Sequence, residues 1–98
     1  MIKEVQFRKA ALAEVRESYH WYETQRQGLG EEFILCLEEA IERISRNPES
    51  YPFVHKNIRR IIVRRFPYGV FYFTEQNKMV IIAVFHAKRN PKKWKNRL

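Results

Sequence analysis

Twelve of the nineteen Lys and Arg residues fall after position 55, interleaved there with His and Tyr. The set comprises Arg59, Arg60, Arg64, Arg65, Tyr68, Tyr72, His86, Lys88 and Arg89, followed by Lys92, Lys93, Lys95 and Arg97. Such cations bind phosphate, and with a histidine or tyrosine as proton carrier they could cleave RNA through its 2′-hydroxyl. Other chemistries lack their residues. The chain has no Asp, no Gly-rich phosphate loop and a single cysteine, Cys36. P-loop hydrolysis, a multi-cysteine zinc site and an intramolecular disulfide are therefore excluded, and no metal or cofactor is expected.

His86 follows the apolar run Met79 to Phe85 and precedes Ala87-Lys88-Arg89. It reads first as a polar group that closes a strand end and holds the segment after it, and second as a candidate general base. Arg59, Arg60, Arg64 and Arg65 flank Ile61-Ile62-Val63, so a pleated strand sends Arg59 and Arg65 to one face and Arg60 and Arg64 to the other. The pair on a helix-covered face must reach the rim or meet helix glutamates, because burying it unpaired is costly. The other pair stands open as anion donors. Trp94, set among cations, can stack on a base, pack over a partner or dock the tail on its own domain.

Charge is segregated along the chain. Residues 1–55 hold seven Lys/Arg against ten Glu, whereas residues 56–98 hold twelve against Glu75 alone; the chain's net charge is +8. This predicts one basic docking surface in the second half, suited to a polyanion or an acidic protein segment. With 98 residues, 45% of them apolar and only three Gly and four Pro, the chain is expected to form one domain, 1–98, with a basic tail from about residue 87. Its longest apolar run has seven residues, too short for a membrane span, and its N-terminus has no signal-like core. A soluble, cytoplasmic protein is expected, with no membrane partner.

The elements that must carry these residues are legible from periodicity. Ile2, Val5 and Phe7 suggest a short strand. Leu12, Val15, Tyr19 and Tyr22 mark one stripe of a helix over about 8–26, and Phe33, Ile34, Leu37, Ala40, Ile41 and Ile44 mark a second over 31–46. Gln27-Gly28-Leu29-Gly30 joins them as a tight turn, and Asn47-Pro48 ends the second helix. Residues 47–57 read as a loop with two prolines. The period then changes to two: Ile58 to Phe66, Val70 to Thr74 and Met79 to Phe85 read as an antiparallel meander, the last strand lying inside the sheet and covered on both faces. A helical turn is expected after Pro91. The predicted fold class is α+β, two layers, with a helical hairpin packed on one face of a small antiparallel sheet in the order β-α-α-β-β-β.

Several motifs together resemble the ParE/RelE superfamily of type II toxins. They are Asn47-Pro48 and Tyr51-Pro52, Arg59-Arg60-Ile61, Arg65-Phe66-Pro67-Tyr68-Gly69-Val70-Phe71-Tyr72, and Ile82 to Trp94 with its His86-x-x-Arg89-x-Pro91-x-x-Trp94 pattern. The resemblance spans nearly the whole chain. It implies a small growth-inhibiting toxin of the plasmid stabilisation type, neutralised by a cognate acidic antitoxin that wraps over it, as a homodimer or in a heterotetramer with that antitoxin. Two branches differ in target, and a non-toxic basic binding module that serves only in a complex is a further alternative. ParE-like members poison DNA gyrase and are not known to catalyse a reaction, whereas RelE-like members cut messenger RNA on the ribosome. Arg89 resembles a catalytic cation of the cutting branch, with Lys88 and His86 beside it. However, Gly69 stands where that branch carries another arginine, and Trp94 or Lys95 where it carries a tyrosine. The Phe66-Pro67-Tyr68 and Arg89-Asn90-Pro91 segments are more similar to the ParE branch. The target-contacting residues implied are Arg59, Arg60, Arg64, Arg65, Tyr68, Arg89, Lys92, Lys93, Trp94 and Arg97.

Overall fold

A computed structural model describes residues 2–89 and 92–97, with Lys93 and Trp94 described in their backbone only. The chain runs β1 (Glu4–Phe7), α1 (Lys9–Gln25), α2 (Leu29–Arg46), β2 (Phe53–His55), β3 (Ile58–Ile62), β4 (Tyr68–Glu75), β5 (Lys78–His86) and α3 (Lys92–Lys95). The strands form one sheet in the order β1-β5-β4-β3-β2. The two helices of the hairpin pack on one face of it, as the periodicity predicts. Three details of the sheet differ from the sequence reading. The sheet is mixed, because β1 pairs parallel with β5. These two strands are joined by a long crossover through both helices rather than by a hairpin turn, which leaves their directions free to agree.

The second difference is β2, in a segment read as loop. Phe53 lies opposite Arg59 and His55 opposite Ile58 across a bulge, and Arg60 N–H donates to the Pro52 carbonyl at 3.2 Å. Three residues beside a proline carry too little alternation to be seen as a strand. The third is the end of β3, which stops at Ile62 rather than running to Phe66. Arg65 adopts a left-handed conformation (φ 70°), and Val63 N–H donates to the Tyr68 carbonyl at 2.9 Å, so residues 64–67 turn the chain into β4. The alternation of faces expected for Arg64 and Arg65 therefore does not apply.

The hairpin is built by close approach. Glu23 of α1 accepts hydrogen bonds from the backbone N–H groups of Gly28 and Gly30, each at 2.9 Å, and so satisfies donors at the start of α2. A Cβ on Gly30 would lie 2.7 Å from the Tyr19 carbonyl oxygen, so this position, expected in the turn, is a packing requirement inside the first turn of α2, which starts at Leu29 rather than at residue 31. The stripe predicted on α1 holds in part: Tyr22 is buried and Val15 packs against the core, but Ala11 and Ser18 are buried as well and Leu12 is 39% exposed. Ala11 and Ser18 are small, and they let the helix lie close to its neighbours.

Both faces of β5 are covered, as its continuous apolar run predicts; every residue from Met79 to Phe85 is at most 3% exposed. Met79, Ile81 and Val84 join the helix-side core with Phe33, Leu37, Ala40 and Ile44, whereas Val80, Ile82, Ala83 and Phe85 pack with Ile58 and Phe71. No helix among the described residues is long and apolar enough to cross a membrane.

Tyr72, fully buried in β4, donates its hydroxyl to the Pro48 carbonyl at 2.7 Å and so ties the 47–52 segment to the sheet. Burial pushes its pKa up to about 12; the Arg59 guanidinium opposes that rise and Tyr51 adds to it. The neutral phenol is thus the form the fold prefers. As pH rises past the ordinary tyrosine value of 10.0, the unfolded chain loses this proton first, so stability falls towards pH 12. Urea denaturation at pH 8 and pH 11 should show this loss at up to about 1.4 kcal/mol per pH unit. Tyr72→Phe should flatten it while lowering stability at pH 8 by about 1 kcal/mol, through the lost hydrogen bond.

Candidate anion-binding site

The turn at residues 64–67 and the exit of β5 meet at one end of the sheet. Tyr68 pairs with His86 and Gly69 with Phe85, and Ala87 N–H donates to the Pro67 carbonyl at 2.8 Å. This pairing holds the 86–89 segment against the start of β4. The rings of Tyr68 and His86 meet edge to face at 5.3 Å. Lys88 N–H donates to His86 Nδ1 at 3.1 Å, which assigns the proton of the neutral ring to Nε2. Arg89 turns back over Phe85, its guanidinium 5.8 Å from the ring centroid.

Arg60 approaches the same place from β3. A Cβ on Gly69 would lie 3.1 Å from Arg60 Cδ and 3.2 Å from its Cγ, so the stem of Arg60 runs across the space a side chain at position 69 would take. Arg60, His86 and Arg89 consequently line one small cleft of about 170 Å³, together with Gly69, Phe71 and Phe85. A second cleft of about 500 Å³ adjoins it, sharing His86 and Arg89 and bounded by Trp21, Glu17, Pro67 and Tyr68. Neither Arg60 nor Arg89 has an acidic partner among the described residues. Two cations and an imidazole N–H at the mouth of adjoining clefts can bind a carboxylate or a phosphate oxygen.

The other expected site residues do not join them. Arg59 faces the helix side, where it donates to the carbonyls of Tyr51 (2.6 Å) and Glu49 (3.1 Å) and stacks over Phe53 at 3.8 Å. Arg64 and Arg65 lean on α2, 3.7 Å from Glu39 and 3.8 Å from Glu32. Arg97 forms a two-pronged pair with Glu14 at 2.8 and 3.0 Å and donates to the Ile82 carbonyl at 3.0 Å. Glu14 in turn accepts from Val84 N–H at 3.0 Å. Beyond the end of β1, these two side chains satisfy the edge of β5 that a longer strand would have paired. Lys92 is exposed on α3, while the side chains of Lys93 and Trp94 lie outside the described residues.

One continuous basic surface is therefore not what the structure builds. Segregation along the sequence is partly undone in space: Glu14, Glu32 and Glu39 of the first half sit against Arg97, Arg65 and Arg64 of the second. What remains is a compact site around Arg60 and Arg89. Sequence reasoning missed Trp21 and Glu17 in the larger cleft. The available signal was an aromatic residue off the apolar stripe of α1, since Trp21 is 57% exposed.

With this geometry in view, the sequence from residue 5 to residue 91 matches the model of the ParE toxins of type II toxin–antitoxin systems, parDE. The chain belongs to this family. As a ParE-family toxin it shares its fold with two solved structures. One, described as the chromosomal ParDE TA system from P. aeruginosa, superimposes with a TM-score of 0.66 at 12% identity, covering 89% of this chain and 98% of that one. The other is the isolated E. coli RelE toxin, with a TM-score of 0.61 at 17% identity, covering 95% and 93%. No curated protein matches by sequence. At these identities the likeness is one of fold.

Proposed function

We propose that this ParE-family chain arrests growth by binding DNA gyrase in the cytoplasm, and that a cognate acidic antitoxin neutralises it by covering the Arg60–Arg89 site. The observation that carries this reading is the chemistry of that site. It offers cations for an acidic surface, while the one imidazole in it has Nδ1 occupied by the Lys88 N–H, so His86 presents a donor rather than a base. Binding needs donors; hydrolysis needs a proton acceptor as well. Family membership over residues 5–91 supports the same reading.

A second reading rests on Arg60. Its stem fills the space over Gly69, so a neighbouring strand supplies a cation beside Arg89 even though position 69 carries none. That arrangement favours a RelE-like, ribosome-dependent endoribonuclease using Arg89, Lys88 and His86. Two assays on the purified protein separate the readings. Gyrase poisoning is expected to inhibit supercoiling and accumulate cleaved DNA, with messenger RNA intact in a translating extract. Unaffected supercoiling at a large molar excess, together with cut messenger, would replace the first reading by the second.

A further inference from the structure

We infer that the larger cleft seats an aromatic side chain of an acidic polypeptide partner, with a neighbouring carboxylate of that partner held between Arg60 and Arg89. The inference rests on the reading that an acidic antitoxin is the partner, and it names the feature by which this surface would recognise one. The cleft has about 500 Å³, enough for one large side chain, and its walls are the exposed indole of Trp21, the ring of Pro67 and the ring of Tyr68. Flat apolar walls of this kind favour a planar ring. The adjoining cleft, about 170 Å³, holds Arg60 and Arg89.

Because the two clefts share His86 and Arg89, one ligand can occupy both. In an extended peptide, side chains two residues apart point the same way and stand about 7 Å apart, which suits an aromatic residue followed closely by Asp or Glu. Glu17 favours a peptide over a nucleic acid. It lines the larger cleft without an ion pair among the described residues, so it disfavours a phosphate there, whereas a peptide can present a neutral ring to this cleft, donate a backbone N–H to Glu17 and direct its own carboxylate to the adjoining cleft of Arg60 and Arg89. The net charge of +8 favours capture of an acidic segment in either case.

The test uses fluorescence anisotropy at low ionic strength with three dye-labelled probes of about the same length: an acidic peptide containing one Phe, the same peptide with Ala in its place, and an oligothymidylate. The Phe peptide is expected to bind roughly tenfold more tightly than the Ala peptide, and Trp21→Ala should erase that difference, as expected for loss of an aromatic anchor. Leu35→Ala, on the outer surface of α2 at 64% exposure, should preserve it. Since Trp21 is more than half exposed, its truncation leaves the core filled, and circular dichroism will verify the fold. Equal binding of the two peptides, no binding of either, or a Phe preference that survives Trp21→Ala overturns the inference. So does an oligothymidylate affinity that depends on Trp21, which would make the cleft a nucleic-acid site. These readouts do not involve gyrase or growth, so a failure of the proposed function would be seen separately.

Discussion

Replacing Arg60 and Arg89 together by alanine is expected to abolish growth inhibition on induced expression, with target affinity reduced roughly 100-fold or more. These are the two cations that the fold brings together without an acidic partner among the described residues. A target carboxylate or phosphate that loses both is left desolvated and unpaired, the costliest outcome for a charged contact. Arg89 is exposed, and Arg60 lies across Gly69 outside the helix-side core, so the melting temperature should move little. Arg64→Ala is the informative contrast. That side chain is 68% exposed and 3.7 Å from Glu39, so its removal should leave both toxicity and stability nearly unchanged. Plating efficiency under induction, with thermal denaturation of each purified variant, measures both quantities. Full toxicity in the double variant would remove the basis for placing the target at this site.

Phe33→Ala is expected to lower stability by about 3–5 kcal/mol. Phe33 is fully buried on α2 at the centre of an aromatic cluster, its ring centroid 5.4 Å from Tyr22, 5.3 Å from Phe66 and 5.1 Å from Tyr68. Truncation opens a cavity among rigid rings that cannot close over it, so the lost burial and the lost ring contacts add. In a domain of this size that is a large share of a total of about 5–15 kcal/mol, and it corresponds to a fall in melting temperature of at least about 12 °C. Urea titration reads the loss directly. Because Phe66 and Tyr68 flank the turn that carries Pro67, the same substitution should also loosen the larger cleft, and hydrogen exchange at Tyr68 and Ala87 would report it.

The two helices and the apolar strand were legible because each repeats its signal over many residues. Alpha2 shows its core face at Phe33, Leu37, Ala40 and Ile44, and β5 is apolar from Met79 to Phe85. Signals confined to two or three residues were lost. Phe53–His55 is too short to alternate visibly, and the left-handed turn at Arg65 lies inside a run whose residue types continue to look like strand. On α1 the visible apolar stripe shared Tyr22 with the packed face but also included the exposed Leu12, whereas the other buried residues are Ala11 and Ser18, which pack through small volume.

For the site, the cation types and their half of the chain could be read in advance, and so could His86 and Arg89 beside the end of the last strand. Which cations remain available could not. Alternation separates Arg59 from Arg60 and a motif marks Arg89, but nothing in the sequence records that, among the described residues, Arg64, Arg65 and Arg97 meet helix glutamates while Arg60 and Arg89 do not.

By itself, then, the sequence determined an α+β order, a hairpin of amphipathic helices, a doubly covered strand and an excess of positive charge, since all of these follow from periodicity and composition along one dimension. Tertiary structure alone decided that Glu14, Glu32 and Glu39 would meet Arg97, Arg65 and Arg64, that Gly69 would yield its space to Arg60, and that Trp21 would wall a cleft ending at Arg89. The physical reason is that a charge is satisfied by whatever lies within a few ångströms of it. For residues as far apart in the chain as Glu14 and Arg97, that distance is set by how the helices seat on the sheet.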